Sequence, residues 1–417
     1  MRDRMKMGIF AVVGVGIWIL LFAYLNHRGY ETYWKVVILA LSAVSLIWHA
    51  TRLKKEEGYL AKLTGVAKTG KKRVAAYDYL RLIAVGGVIL THAMQLEIEA
   101  QEMNATGGQT VIWVITMAAN AIYVMLSGAL HYKWKQEKIL TYYLKRFSAV
   151  VIPLVVYYLW YLSANYSYMR GWGDAPVRDV LEWLGTNTMK CAPHMWLIYV
   201  ILSLYITAPF FRWALRAFPH RELTVILTVL FVFSLYKPFV EQFLITDLTY
   251  GNAAILVPFS EWLLISLYGY WASLEESRRY DRITIPLGAA ALIAIAVMSF
   301  MQPGADVLER WCLNGAPLPP LVCVGLFALM FRFRDRLPEG GPILRSINRY
   351  SYGIILIHWY TLNFIVIGRL HITAGMAGGL GLLLSLIVTL VISWIICFII
   401  ENLIILPLRL LISLIIV

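Results

Sequence analysis

Residues 74 to 94 read Val-Ala-Ala-Tyr-Asp-Tyr-Leu-Arg-Leu-Ile-Ala-Val-Gly-Gly-Val-Ile-Leu-Thr-His-Ala-Met, and the only charges among them, Asp78 and Arg81, stand near one end. A helix of about 20 mostly apolar residues crosses the hydrocarbon core of a bilayer. The segment is therefore read as a membrane span. Worked outward, the same ruler gives candidate spans near 8–25, 33–51, 74–94, 110–130, 147–164, 193–211, 222–239, 254–274, 283–301, 317–331, 350–368 and 375–406, about twelve in all. The span at 317–331 is short and led by proline, and the last is long enough to tilt or break. The run at 8–25 follows a basic start but has no convincing small-residue cleavage site, so it is read as a retained helix.

Composition agrees. Of 417 residues, 60% are hydrophobic and 15% charged, against about 25% charged in an average soluble domain. With a mean hydropathy of +0.68, too few polar residues remain to cover a water-soluble surface. The expected class is an all-α, polytopic membrane helix bundle. The net charge of +13 taken alone would suggest nucleic acid, but the basic residues lie in short runs between apolar stretches, so no nucleic-acid partner is expected. Lys and Arg test the threading, because they should favour every second loop. One set of alternate loops holds 28 of the 37, the other holds 8, and Arg81 lies within a span. Both termini are accordingly placed in the cytoplasm. Four cysteines without metal-like spacing suggest no metal centre and no disulfide framework. The longest outward loop, 165–192, carries Gly171, Trp172, Gly173 and Pro176 and reads equally well as an ordered cap or as a plain connector.

An ionisable group within hydrocarbon is costly and usually faces the bundle interior. Asp78, Arg81, His92, Glu261, His358 and Glu401 qualify. Asp78 and Arg81 are spaced i,i+3, which allows an ion pair, ordinary at an interface. Arg81 and His92 are eleven residues apart, three turns of 3.6, so they share one helix face about 16 Å apart along the axis. An arginine at the inner end and a histidine toward the outer end can hold the two ends of a long anionic ligand such as coenzyme A, whose phosphates need cations and whose thioester needs a base beside the acceptor hydroxyl. A lone membrane histidine is also often only a packed or hydrogen-bonded residue.

The segment Tyr77-Asp78-Tyr79-Leu80-Arg81-Leu82-Ile83-Ala84, closing at His92, resembles the first-helix signature of the membrane acyltransferase-3 family. More of that family's order follows. Tyr123-Val124-Met125-Leu126-Ser127-Gly128 resembles its F-x-x-SG segment, and Lys145-Arg146 with Pro153 its basic turn. His194-Met195-Trp196-Leu197 is similar to its H-L-W segment, and Ser351-Tyr352-Gly353 through His358 to its S-Y-G-I-x-x-I-H segment. One departure is Ala149, where the family's basic turn usually has a second arginine. The resemblance covers roughly residues 74–406. It divides the chain into a two-helix extension with a basic linker, 1–73, and an acyltransferase domain, 74–410.

The resemblance implies an O-acyltransferase that moves an acyl group, usually acetyl, from cytoplasmic acetyl-CoA or another acyl-CoA to a hydroxyl of a carbohydrate or lipid-linked glycan of the cell envelope, in a multi-pass protein of a bacterial cytoplasmic membrane surrounded by its lipid. In that reading His92 is the base, Arg81 positions the donor and Asp78 holds Arg81. Arg81, Lys145 and Arg146 bind the acyl-CoA, and His194, Trp196, Ser127 and His358 are substrate-binding: His194 and Trp196 meet the acceptor at the outward mouth, Ser127 lines the pathway and His358 lines the donor channel. Each has an ordinary alternative. Ser127 beside glycine can be a packing device, Trp196 and His194 interfacial belt residues, His358 a donor to a helix carbonyl, and Lys145 and Arg146 anchors at the interface. Two other functions compete: a transporter of a small polar substrate such as an amino acid, and a non-catalytic scaffold of an envelope assembly. Matching broken helices in two halves, a transporter signature, are not evident in the sequence.

Overall fold

A computed structural model describes residues 32–66, 73–102, 104–133, 135, 137–164, 192–243, 260–301, 305–376 and 379–410. The span expected at 8–25 and the loop at 165–192 lie outside the described residues, apart from Ala192. Within them the chain is helical: α1 Thr32–Lys55, α2 Tyr59–Leu63, α3 Ala75–Ala100, α4 Gly107–His131, α5 Ile139–Ala164, α6 Trp196–Ala217, α7 His220–Phe243, α8 Glu261–Ala272, α9 Asp281–Met301, α10 Ala305–Trp311, α11 Leu318–Arg332, α12 Pro342–Tyr360 and α13 Leu380–Ile400. A 3₁₀ turn, Pro193–Met195, leads into α6, and π-helical turns Thr361–Ile367 and Glu401–Ile405 extend α12 and α13. Nine helical segments among the described residues are long and apolar enough to cross a membrane. Each coincides with an expected span. The expected span at 254–274 shows twelve helical residues in α8, and that at 317–331 is the fifteen-residue α11.

Helix α13 shows which solvent the fold is built for. Leu383, Ile387, Val391 and Ile395 point outward at every fourth position, while Gly381, Ser385, Thr389, Ser393 and Cys397 form the buried row. In water this pattern would be inverted. In lipid the outward face loses nothing by being apolar, and small residues inside let backbones approach. The protein is a polytopic helical membrane protein.

Sequence sets the helix starts locally. Thr106 caps α4 in a reciprocal box with Gln109, and Ser260 accepts from the Leu263 amide to cap α8. Pro342 opens α12, where its missing N–H has no partner to lose. At the centre stands α4, packed by α3, α6, α8, α9 and α11. Its contact with α8 is backbone to backbone: a Cβ added to Gly128 would fall on the Ser266 carbonyl, and one added to Gly269 on Met125. Gly288 of α9 and Gly325 of α11 meet in the same way. A Gly269→Ala or Gly128→Ala protein must push two central helices apart. Overpacking of this kind costs about 1–3 kcal/mol, so the thermal midpoint in detergent should fall for both, and an unchanged midpoint would refute the close crossing.

Helix α1 docks on the second π turn. A π turn shifts the hydrogen-bond register and frees carbonyls; that of Asn402 accepts from Ser45 Oγ and, at 3.0 Å, from His49 Nε2. Helix α12 lies against α3, α5 and α13, which brings its outer third beside the same part of α3.

Candidate active site

Three histidines from three helices meet inside the bundle. His92 of α3, His194 of the turn before α6 and His358 of α12 have ring centroids 6.3 Å (92 to 194), 5.3 Å (92 to 358) and 4.9 Å (194 to 358) apart. The Trp359 indole closes one side, edge-on to His92 at 5.0 Å and stacked on His194 at 6.1 Å. Tyr161 packs on His194 from α5, 5.5 Å between centroids. The π turn that begins at Thr361, directly after this stretch of α12, lies beside the cluster; the Tyr360 amide, at its edge, donates to the Tyr161 hydroxyl at 3.0 Å.

Hydrogen bonding fixes the state of each imidazole. His358 Nδ1 donates to the Ile355 carbonyl at 2.7 Å, and His194 Nε2 donates to the Leu356 carbonyl at 3.1 Å, because a carbonyl can only accept. For His92 the reasoning runs through two residues of its own helix. Gln95 Nε2 donates to the Glu99 carboxylate at 2.8 Å, which turns the Gln95 carbonyl oxygen toward His92 at 3.1 Å. His92 Nδ1 therefore donates, and Nε2 is left as the acceptor. His194 Nδ1 and His358 Nε2 are buried with no hydrogen-bond partner among the described residues. An unmade hydrogen bond of this kind costs about 1–3 kcal/mol, which is hard to account for in a purely structural cluster. Among the described residues no group of His, Cys, Asp and Glu has the arrangement to hold a metal ion.

Toward the basic end of the bundle lies a second, cationic chamber. Arg81 makes one ion pair, 3.8 Å to Asp78, and Asp78 is shared with Arg73 at 3.7 Å. Both contacts are too long for hydrogen bonds, so the N–H groups of Arg81 make none among the described residues. Arg146 and Arg212 lie over the ring of Tyr142, at 5.7 and 4.5 Å. Arg81, Arg146 and Arg212 all act electrostatically on His131, whose ring packs on Tyr205 at 4.4 Å. The Tyr123 hydroxyl, which also feels the charge of Arg81, is buried and has no hydrogen-bond partner among the described residues. Arg212 is itself buried and donates through Nε to the His131 carbonyl, capping α4.

The expected residues thus divide. His92, His194 and His358 come together, and Arg81 with Arg146 forms the chamber, with Asp78 behind Arg81. Lys145 is exposed and pairs with Glu137 at 3.2 Å, a carboxylate that Arg212 also approaches, at 3.8 Å. Trp196 packs on Trp262, 5.1 Å between centroids. Ser127 Oγ donates to the Tyr123 carbonyl one turn back and sits beside the tight Gly128 crossing. Residues that the sequence reading did not single out are Gln95, Glu99, Tyr161, Trp359, His131 and Arg212. Gln95 and Glu99 had a signal, since i+3 and i+7 from His92 lie on its helix face; for the others the spacing carried none.

A family model described as an acyltransferase domain matches residues 74–398, which includes both chambers. No curated protein and no solved structure matches the chain.

Proposed function

The chain belongs to the acyltransferase-3 family and is a membrane acyltransferase, and from that premise we propose that it transfers an acyl group, acetyl in the first instance, from acyl-CoA to a hydroxyl of a cell-envelope carbohydrate or lipid-linked glycan. The observation that carries this reading is the placement of two groups on one helix: Arg81, whose guanidinium makes no hydrogen bond among the described residues, and His92, whose Nε2 has no partner among them, eleven residues apart. Acyl-CoA carries phosphates at one end and a thioester at the end of a long flexible arm, and the two chambers match those ends in order. Arg81, Arg146 and Arg212 supply the cations for phosphate oxygens, with Arg suited to planar bidentate contacts. At the far end His92 Nε2 takes the proton of the acceptor hydroxyl as its oxygen attacks the thioester carbonyl. The C–S bond breaks, and the imidazolium returns the proton to the leaving thiolate.

In this reading the basic end of the bundle faces the cytoplasm of a bacterial cell and the histidines open toward the far side, where the acceptor is presented. Labelling tests the orientation. In a background lacking the native cysteines, Asn104→Cys should react with a membrane-impermeant thiol reagent in intact cells, and Lys62→Cys should react only after lysis; both positions are exposed. The reverse pattern would place the donor chamber outside and sink the proposal. Purified protein given acetyl-CoA should release free thiol only when a hydroxyl acceptor is present. A protein that moves a polar solute across vesicles without consuming acetyl-CoA would be a transporter instead.

A further inference from the structure

His194 and His358 contribute more to the outer chamber than bulk. Each has one nitrogen committed to a backbone carbonyl and the other, His194 Nδ1 and His358 Nε2, buried without a partner among the described residues. His358 is fully buried and His194 is 5% exposed. With His92 Nε2 this makes three acceptors on three adjoining rings. Acceptors are satisfied only by donors, so the occupant brings O–H or N–H groups. Among the described residues no carboxylate bonds to any of the three rings, so an ammonium group would meet no counter-charge there, and hydroxyls fit better. A single hydroxyl cannot serve, because its one proton goes to His92 in the transfer step.

We infer that the acceptor carries two adjacent hydroxyls, one acylated through His92 and its neighbour donating its single O–H in a three-centre bond shared between His194 Nδ1 and His358 Nε2. This rests on the acyl-transfer reading and narrows it to vicinal diols. The reaction balances as before: the reacting hydroxyl loses its proton to His92, the thiolate receives it, and the second hydroxyl keeps its own. His194 and His358 touch the acceptor and select it without taking part in bond exchange.

The test uses the purified full-length protein with acetyl-CoA and three small probes: cis-1,2-cyclohexanediol, cyclohexanol and cis-2-methoxycyclohexanol. The methyl ether keeps the reacting hydroxyl and the second oxygen but lacks the second donor. Ester formation followed by mass spectrometry should favour the diol over both other probes by roughly ten- to hundredfold in kcat/KM, as when a site built to bond a hydroxyl meets an analogue without it. His358→Phe and His194→Phe, which keep an aromatic ring and lose the acceptor, should bring the ratio of diol to cyclohexanol transfer, measured within each variant, down toward one. Equal transfer to all three probes by the wild-type protein overturns the inference and leaves acyl transfer standing; the bare nitrogens then hold a structural water only. Discrimination that survives in both variants overturns it equally. Because the wild-type panel decides alone, a variant that fails to fold does not rescue the idea. Release of no thiol with any probe overturns the acyl-transfer reading and this inference together.

Discussion

In a His92→Gln protein, acyl transfer should fall by about 10² to 10⁴, the usual contribution of a positioned general base. A sugar hydroxyl is a poor nucleophile at neutral pH, whereas a thiol is far more acidic than an alcohol, so the leaving thiolate departs readily. The base therefore carries most of the proton-transfer advantage. Glutamine keeps much of the volume of histidine and can still hydrogen bond to Gln95, but it cannot take a proton. Donor affinity should be unchanged, since Arg81 and its neighbours lie at the other end of the helix. Product formation and acyl-CoA binding, measured on the same preparation, separate the two effects. Near-normal transfer in the Gln variant would make His92 a packing residue of a buried ring cluster and remove the mechanism.

How the two chambers came to be partly legible is a matter of which distances run along one helix and which run between helices. The spans could be read because lipid demands some 20 apolar residues of any helix that crosses it. Helix α8 offers only twelve described helical residues and α11 fifteen, so there the ruler gave existence better than length. Arg81 and His92 were placed on one face because 3.6 residues per turn nearly divides eleven. Their meeting with His194 and His358 needs elements that are 102 and 266 positions further along the chain. No periodicity reports that; His358 stood out as an ionisable group within a span and His194 through the resemblance, and neither signal says that they touch.

Lys145 and Arg146 show what adjacency in sequence leaves open. Adjacent helical residues point about 100° apart, so the two side chains of a basic pair meet different partners. Arg146 faces Tyr142 and Lys145 turns to Glu137. Arg212 was counted among the loop cations that orient the bundle, yet α6 carries it inward to the end of α4. Its long apolar stem allows a cation near the interface to reach a buried carbonyl, and a charge count by loop cannot distinguish that from a solvated arginine.

Arg81→Ala should weaken acyl-CoA binding by about tenfold to a hundredfold, which corresponds to the roughly 1.5–3 kcal/mol of a hydrogen bond to a charged group. The size follows from its setting. The guanidinium side chain is 23% exposed and makes no hydrogen bond among the described residues, only the long pair with Asp78. Its donors are thus available to phosphate oxygens without first breaking a bond. Arg81→Lys should recover part of the loss, because an ammonium keeps the charge but not the planar fork. Arg73→Ala is the informative control: it removes the other cation beside Asp78 and leaves the Arg81 guanidinium in place, so donor affinity should hold. Arg212→Ala would confound the measurement, since it also uncaps α4. Competition with 3′-dephospho-CoA separates which phosphate is gripped: if Arg81 meets the 3′-phosphate, wild type and Arg81→Ala should bind this analogue alike, whereas a retained difference assigns Arg81 to the diphosphate. Undiminished affinity for acetyl-CoA in the Arg81→Ala protein would take Arg81 out of the donor site and leave it as the partner of Asp78 alone.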